Sequence, residues 1–185
     1  MRLFTAIELP ESVRDALMEA ARPLKGVCPE ASWVRTENLH VTLKFLGEVA
    51  EPQVTDVCSS LKRVSVTGTA RVSVGGLEFF PPRGPVRVIV LGLNGEVELI
   101  HRIFGEIDRT TAEIGFPSEA RPFVPHITLA RARRTIHGSV RQKLPPLLRW
   151  AGSSPAFEVT SFSLIESKLG SGGPQYLRLA SFPTK

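Results

Sequence analysis

His40-Val41-Thr42-Leu43 and His126-Ile127-Thr128-Leu129 are two versions of one tetrapeptide: histidine and threonine separated by one apolar residue and followed by leucine. The second copy lies nearly half of the 185-residue chain beyond the first. An arginine stands five residues ahead of each histidine, Arg35 and Arg121. On an extended strand residues i and i+2 share a face, so His40 and Thr42 project together, as do His126 and Thr128. Val41, Leu43, Ile127 and Leu129 then point the other way, into a core. If each half carries one such strand and the two face one cleft, two imidazoles and two hydroxyls converge. That set suits a phosphodiester. A neutral histidine takes a proton from the nucleophile, and a protonated one gives a proton to the leaving oxygen. The ordinary pKa of histidine, about 6.5, makes both forms accessible near neutrality. Hydroxyls and a nearby arginine would hold the non-bridging oxygens as charge builds. The pattern alone leaves open which histidine is acid and which base.

The residues after each copy differ. Strict alternation puts Lys44 on the His40 face, within reach of a phosphate. The same rule puts Ala130, not Arg131, on the His126 face, and Arg131 joins the set only if the strand bulges or ends there. His101, on a helix beside Ile100, and His137, ahead of Gly138 in a loop, are expected outside the site. No carboxylate or cysteine stands at ligand spacing from either histidine, so neither metal nor other cofactor is expected. The glycine-rich stretch 170–173 lacks the Gly-Lys-Ser/Thr ending of a phosphate-binding P-loop and reads as a hairpin tip.

Charge supports an anionic partner. The formal net charge is +5, and from Arg121 through Arg149 there is no Asp or Glu, while Arg121, Arg131, Arg133, Arg134, Arg141, Lys143 and Arg149 all fall there. The stretch encloses the second histidine-threonine pair and reads as a positive field around a site. Hydrophobic content of 42% and a mean hydropathy of +0.04 describe an ordinary globular chain. No apolar run approaches the roughly 18 residues that span a bilayer, and the N-terminus turns acidic at Glu8, too soon for a signal peptide. Cys28 and Cys58 have no metal spacing and make no disulfide framework. The expected location is the cytoplasm.

Leu3 to Leu9 reads as a strand, followed by a helix striped with Val13, Ala16, Leu17, Ala20 and Leu24. Trp33–Arg35 and Leu39–Leu46 read as strand, and a second helix opens near Pro52. Strands over 70–80 and 86–93 make a hairpin around Pro81-Pro82-Arg83-Gly84-Pro85. A third helix carries Val97, Ile100, Phe104, Ile107 and Ile114, and the second histidine strand follows Pro125. A short helix over 139–149 is interrupted by Pro145-Pro146. Phe157–Glu166 and Tyr176–Phe182 form a closing hairpin across residues 167–174. Helix-bearing units alternating with hairpins predict an α+β fold. The expected architecture is one bilobal duplicated domain over residues 1–185, with two antiparallel sheets facing a central cleft and helices outside.

The run His40 to Gly47 and the run Pro125 to Arg131 resemble the two signatures of the two-histidine phosphoesterase superfamily. More narrowly, the chain is similar to bacterial and archaeal RNA 2′,3′-cyclic phosphodiesterases, once named 2′-5′ RNA ligases. Arg2 to Pro10, Trp33 to Leu39, Arg121 to Phe123, and Glu166 to Leu169 with Gly173 and Tyr176 share the likeness, which covers essentially the whole chain. The resemblance implies a site between two antiparallel sheets and metal-independent opening of a 2′,3′-cyclic phosphate to a 2′-phosphate. It implies His40 as proton donor to the 3′ oxygen, His126 as proton acceptor from water, Thr42 and Thr128 on phosphate oxygens, and Arg131 as phosphate partner. RNA ends or small cyclic nucleotides are the implied partners, with no membrane and no inferable protein partner. One departure is visible: the family often carries Trp after Arg-Val-x in the middle strand, whereas Arg87-Val88-Ile89 is followed by Val90. Two other readings stay open, 2′-5′ RNA ligation by the same site in reverse and a non-catalytic nucleotide- or RNA-binding module.

Overall fold

A run of five buried residues, Leu3 to Ile7, forms the body of β1 (Arg2–Glu8), and Pro10 opens α1 (Glu11–Val27), which buries Val13, Leu17, Ala20, Ala21 and Leu24. β2 (Ala31–Trp33), β3 (His40–Glu48), α2 (Val54–Lys62), β4 (Ala70–Phe80), β5 (Val86–Gly95), α3 (Glu98–Ala112) and β6 (His126–Ile136) follow. The chain closes with α4 (Val140–Lys143), β7 (Ala156–Val159), β8 (Ser161–Gly170) and β9 (Gly173–Pro183). These elements come from a computed structural model that describes residues 1–170 and 173–185. Among the described residues no helix is long and apolar enough to cross a membrane.

The strands pair antiparallel in the order β7-β4-β5-β6-β3-β1-β8-β9, with β2 added along β6. The α+β expectation holds, with the two antiparallel halves meeting at β3 and β6. At this seam the ladder is the single pair Val41↔Ile127, so one sheet runs through both halves. β1-α1-β3 and β5-α3-β6 are the repeated units, each a strand, a helix and a histidine strand lying next to the first. Leu17 and Leu24 of α1, Leu61 of α2 and Ile100, Ile103 and Ile107 of α3 share one buried core with Val41, Leu43, Ile127 and Leu129. The helices therefore cover one sheet face. The histidines and threonines lie on the other.

Two expectations are corrected. Phe157–Glu166 is not one strand: it breaks at Thr160, β7 pairing with β4 and β8 with β1 and β9. The apolar alternation changes phase across Thr160-Ser161, from Phe157 and Val159 to Phe162 and Leu164, and a single strand read through that shift misses the break. Because one residue spans at most about 3.6 Å, strands far apart in the sheet order must approach each other there. The sheet curls accordingly. Thr184 N–H donates to Thr160 O at 2.9 Å, Lys185 N–H to Val66 O at 2.9 Å, and Gly68 N–H to Lys185 O at 2.7 Å, making a second joint between the halves. The closing hairpin is also tighter than the 167–174 connection predicts, with Gly170 opposite Gly173. The centre of the expected glycine-rich tip, Ser171 and Gly172, lies outside the described residues.

Candidate active site

Both histidine strands bulge at the same residue of the repeat. Across from β3, Thr5 faces Lys44 and Ala6 faces Thr42, which leaves Leu43 as the extra residue. Across from β6, Ile89 faces Ala130 and Val90 faces Thr128, which leaves Leu129 extra. An inserted residue reverses the alternation beyond it. Lys44 and Ala130 thus turn toward the helices, and Phe45 and Arg131 turn toward the histidines. Ala130 is fully buried in the core. Arg131 lines a groove with Val34, Asn38, His40, Thr42, Phe45, Thr128 and Tyr176.

The placement of Lys44 is a correction. Its side chain is 4% exposed and its Nζ lies 2.7 Å from Asp108 Oδ1 on α3, so it neutralises a partly buried carboxylate instead of meeting a phosphate. Burial would raise the Asp108 pKa, but hydrogen bonds from Lys44 and from the Glu119 amide outweigh it and hold the carboxyl below its usual value.

The seam sets the relation of the two pairs. Extending Val41↔Ile127 by one residue each way sets His40 beside Thr128 and Thr42 beside His126. The histidines are diagonal neighbours on one face, a relation that in a regular sheet spans about 7–8 Å.

Each imidazole is oriented by the carbonyl two residues before it. His40 Nδ1–H donates to Asn38 O at 2.8 Å, and His126 Nδ1–H donates to Val124 O at 2.7 Å. A carbonyl only accepts, so each ring, when neutral, carries its lone pair on Nε2. His40 Nε2 accepts from the Thr42 hydroxyl at 2.9 Å.

The surroundings of the two rings differ. His40 touches Phe4 at 5.0 Å and the edge of Tyr176 at 5.4 Å between ring centroids. Its Asn38 support is buried and ties to the closing hairpin through Nδ2–H donating to Pro174 O at 2.8 Å. Burial pushes the His40 pKa down to about 4; Arg131 and His126 add to the shift, and the hydrogen bond to Asn38 opposes it. His126 has Phe80 at 5.4 Å, and the Val124 that supports it is 46% exposed.

His101 packs edge-on to Phe123 at 5.5 Å, and His137 Nδ1 accepts from the Ser139 amide at 3.2 Å; neither joins the groove. The acid-free stretch divides its tasks. Arg131 enters the groove, while Arg141 donates to Pro81 O and Gly84 O and so holds the β4–β5 turn. Residue types and spacing did not single out Phe45 or Asn38. Phe45 was detectable by symmetry, because it occupies the repeat position of Arg131. Asn38 acts through its carbonyl, which any residue supplies. Among the described residues no group of three or more His, Cys, Asp or Glu assembles at metal-binding distance.

The chain matches the LigT like Phosphoesterase family twice, over residues 7–90 and 91–176, one histidine-threonine pair in each match. It is 33% identical over 171 residues to an RNA 2′,3′-cyclic phosphodiesterase of Aeropyrum pernix, covering 90% of each chain. It is likewise 33% identical over 190 residues to a protein of that name from Thermus thermophilus, covering 98% of this chain and 89% of the other. A solved structure of a Thermus thermophilus protein superposes with a TM-score of 0.79 at 30% identity, covering 99% of this chain and 97% of that one. E. coli LigT complexed with 3′-AMP shares the fold at a TM-score of 0.78 and 24% identity, with the same coverage. The chain belongs to the LigT-like phosphoesterase family and is a hydrolase.

Proposed function

We propose that this enzyme hydrolyses RNA 2′,3′-cyclic phosphate ends to 2′-phosphomonoesters, using His40 and His126 and no metal ion. The observation that supports the reading is the register at the seam, which puts the two histidine-threonine pairs side by side on one sheet face, beside a groove lined by His40, Thr42, Thr128 and Arg131. Relatives sharing a third of the sequence over nearly their whole length carry that activity in their names.

In this reading His126 Nε2 takes a proton from water, and the water oxygen attacks phosphorus. The bond from phosphorus to the 3′ oxygen breaks as His40 Nε2–H protonates that oxygen, leaving the phosphate on the 2′ oxygen. Thr42, Thr128 and Arg131 donate to the non-bridging oxygens as charge builds. His40, neutral in the free protein because it is buried, gains its proton when the anionic phosphate arrives beside it. The Thr42 hydroxyl, no longer needed at a protonated Nε2, is then free to donate to phosphate. A 5′-hydroxyl in place of water would give a 2′-5′ linkage by the same steps, and water at its normal concentration favours hydrolysis.

The test is incubation with an oligonucleotide ending in a 2′,3′-cyclic phosphate in the presence of EDTA. A 2′-phosphate product is expected, and His40→Ala and His126→Ala should each lower the rate by on the order of 10²- to 10⁴-fold. Activity lost to EDTA refutes the metal-free mechanism. Retained binding without turnover favours a binding module.

A further inference from the structure

We propose that Glu78 is a further catalytic residue, whose carboxylate accepts the second proton-bearing bond of the attacking water and aims that water at phosphorus. Glu78 is opposite Val90, and Val90 is opposite Thr128. Directly opposed residues share a face, so Glu78 shares the face of Thr128 and His126, two strands across. Val90 fits this placement, being fully buried yet absent from the helix-side core. On the intervening strand the residue opposite His126 is Gly92. A Cβ built on Gly92 would run into Glu78 Oε1. The carboxylate therefore lies over the bare backbone of Gly92, on the side where His126 stands. Phe80, opposite Val88, closes the same corner with its ring 5.4 Å from that of His126.

Glu78 is exposed, and among the described residues its carboxylate has no hydrogen bond or ion pair. Open to solvent and unpaired, it is free to take a donor that arrives with the reactants. The phosphate cannot be that donor, because its oxygens only accept and repel a carboxylate. Water on the His126 side has two O–H bonds: one points at His126 Nε2, and the other reaches Glu78. The water's lone pair is then directed at phosphorus. Glu78 takes no proton; His126 does, and the imidazolium so formed lies near the carboxylate. This step rests on His126 being the base, as proposed above.

Kinetics of Glu78→Gln with the four nucleoside 2′,3′-cyclic monophosphates test it, since the amide keeps the shape and loses the charge. We expect kcat to fall roughly 10- to 100-fold with KM within about twofold, equally for all four bases. Gly92→Ala, which displaces the carboxylate, should reproduce the defect and add nothing to Glu78→Gln. An unchanged kcat in Glu78→Gln while His126→Ala is inactive overturns the role of Glu78 alone. A loss confined to one base also overturns it, making Glu78 a reader of that base. Full activity in His126→Ala overturns instead the underlying mechanism.

Discussion

His40 and His126 come from the same tetrapeptide and are held the same way, yet His40 meets two aromatic rings where His126 meets Phe80, and the His40 support is tied to the closing hairpin. The His40 pKa of about 4 lies below the ordinary histidine value, so near neutrality the free protein holds it uncharged. An anion in the groove favours the charged form, and by linkage protonation favours the anion. The sign follows: as pH falls from about 7 toward 4, anion affinity should rise, and His40 should account for up to about one log unit per pH unit of that slope. Sulfate titrations check this, because sulfate keeps its charge over the range. His40→Gln should flatten the dependence, and an unchanged slope would contradict the linkage. At this scale the sequence was highly legible. Alternation alone put His40 with Thr42 and His126 with Thr128. It failed only beyond the leucines, where Lys44 and Arg131 each sit opposite to where counting by twos puts them.

The failure belongs to an element, the bulge, and it occurs in both histidine strands at Leu43 and Leu129. Period-two counting cannot foresee an extra residue, since the chemistry of Leu43 is as suitable for a regular strand as for a bulge. The resemblance named Arg131 without explaining it; the bulge supplies the cause. The turned-in lysine makes a separate prediction. Lys44→Met leaves Asp108 partly buried without its cation, and should lower stability by about 3–5 kcal/mol in denaturant unfolding. Once folded, that variant should keep its KM for a cyclic phosphate, because Lys44 does not face the groove. A large rise in KM with unchanged stability would return Lys44 to the site. The Phe157–Glu166 strand failed for a different reason: Thr160 and Ser161 suit a strand individually, so the phase shift they cause was passed over, while the change of partner itself is decided by long-range pairing.

For the molecule as a whole, the charge of +5 is spread unevenly in sequence. Structure assigns several of those cations to internal tasks, as with Arg141 on the β4–β5 turn, and sends Arg131 to the groove. If the enzyme acts on RNA ends, oligonucleotide and mononucleotide substrates should respond differently to salt. Counterion release scales with the number of phosphates neutralised, so raising salt should increase KM for a cyclic-phosphate oligonucleotide more steeply than for a cyclic mononucleotide. Equal slopes would confine recognition to the terminal nucleotide. The duplication itself was legible, and the family match over two consecutive segments agrees with it. The closure of the sheet was not, because it depends on where distant edges meet.

That closure has a bearing on the histidines. The halves meet at the seam, where β2 and β3 both pair with β6, and are clasped again where Thr160, Val66 and Gly68 meet the last residues of the chain. Two fastenings leave a frame far fewer ways to spread than one. The gap between the imidazoles is thus a dimension of the whole frame, like the span of an arch fixed by its footings. Neither ring needs to grip the other for the distance to be kept, so both can stay free to exchange protons.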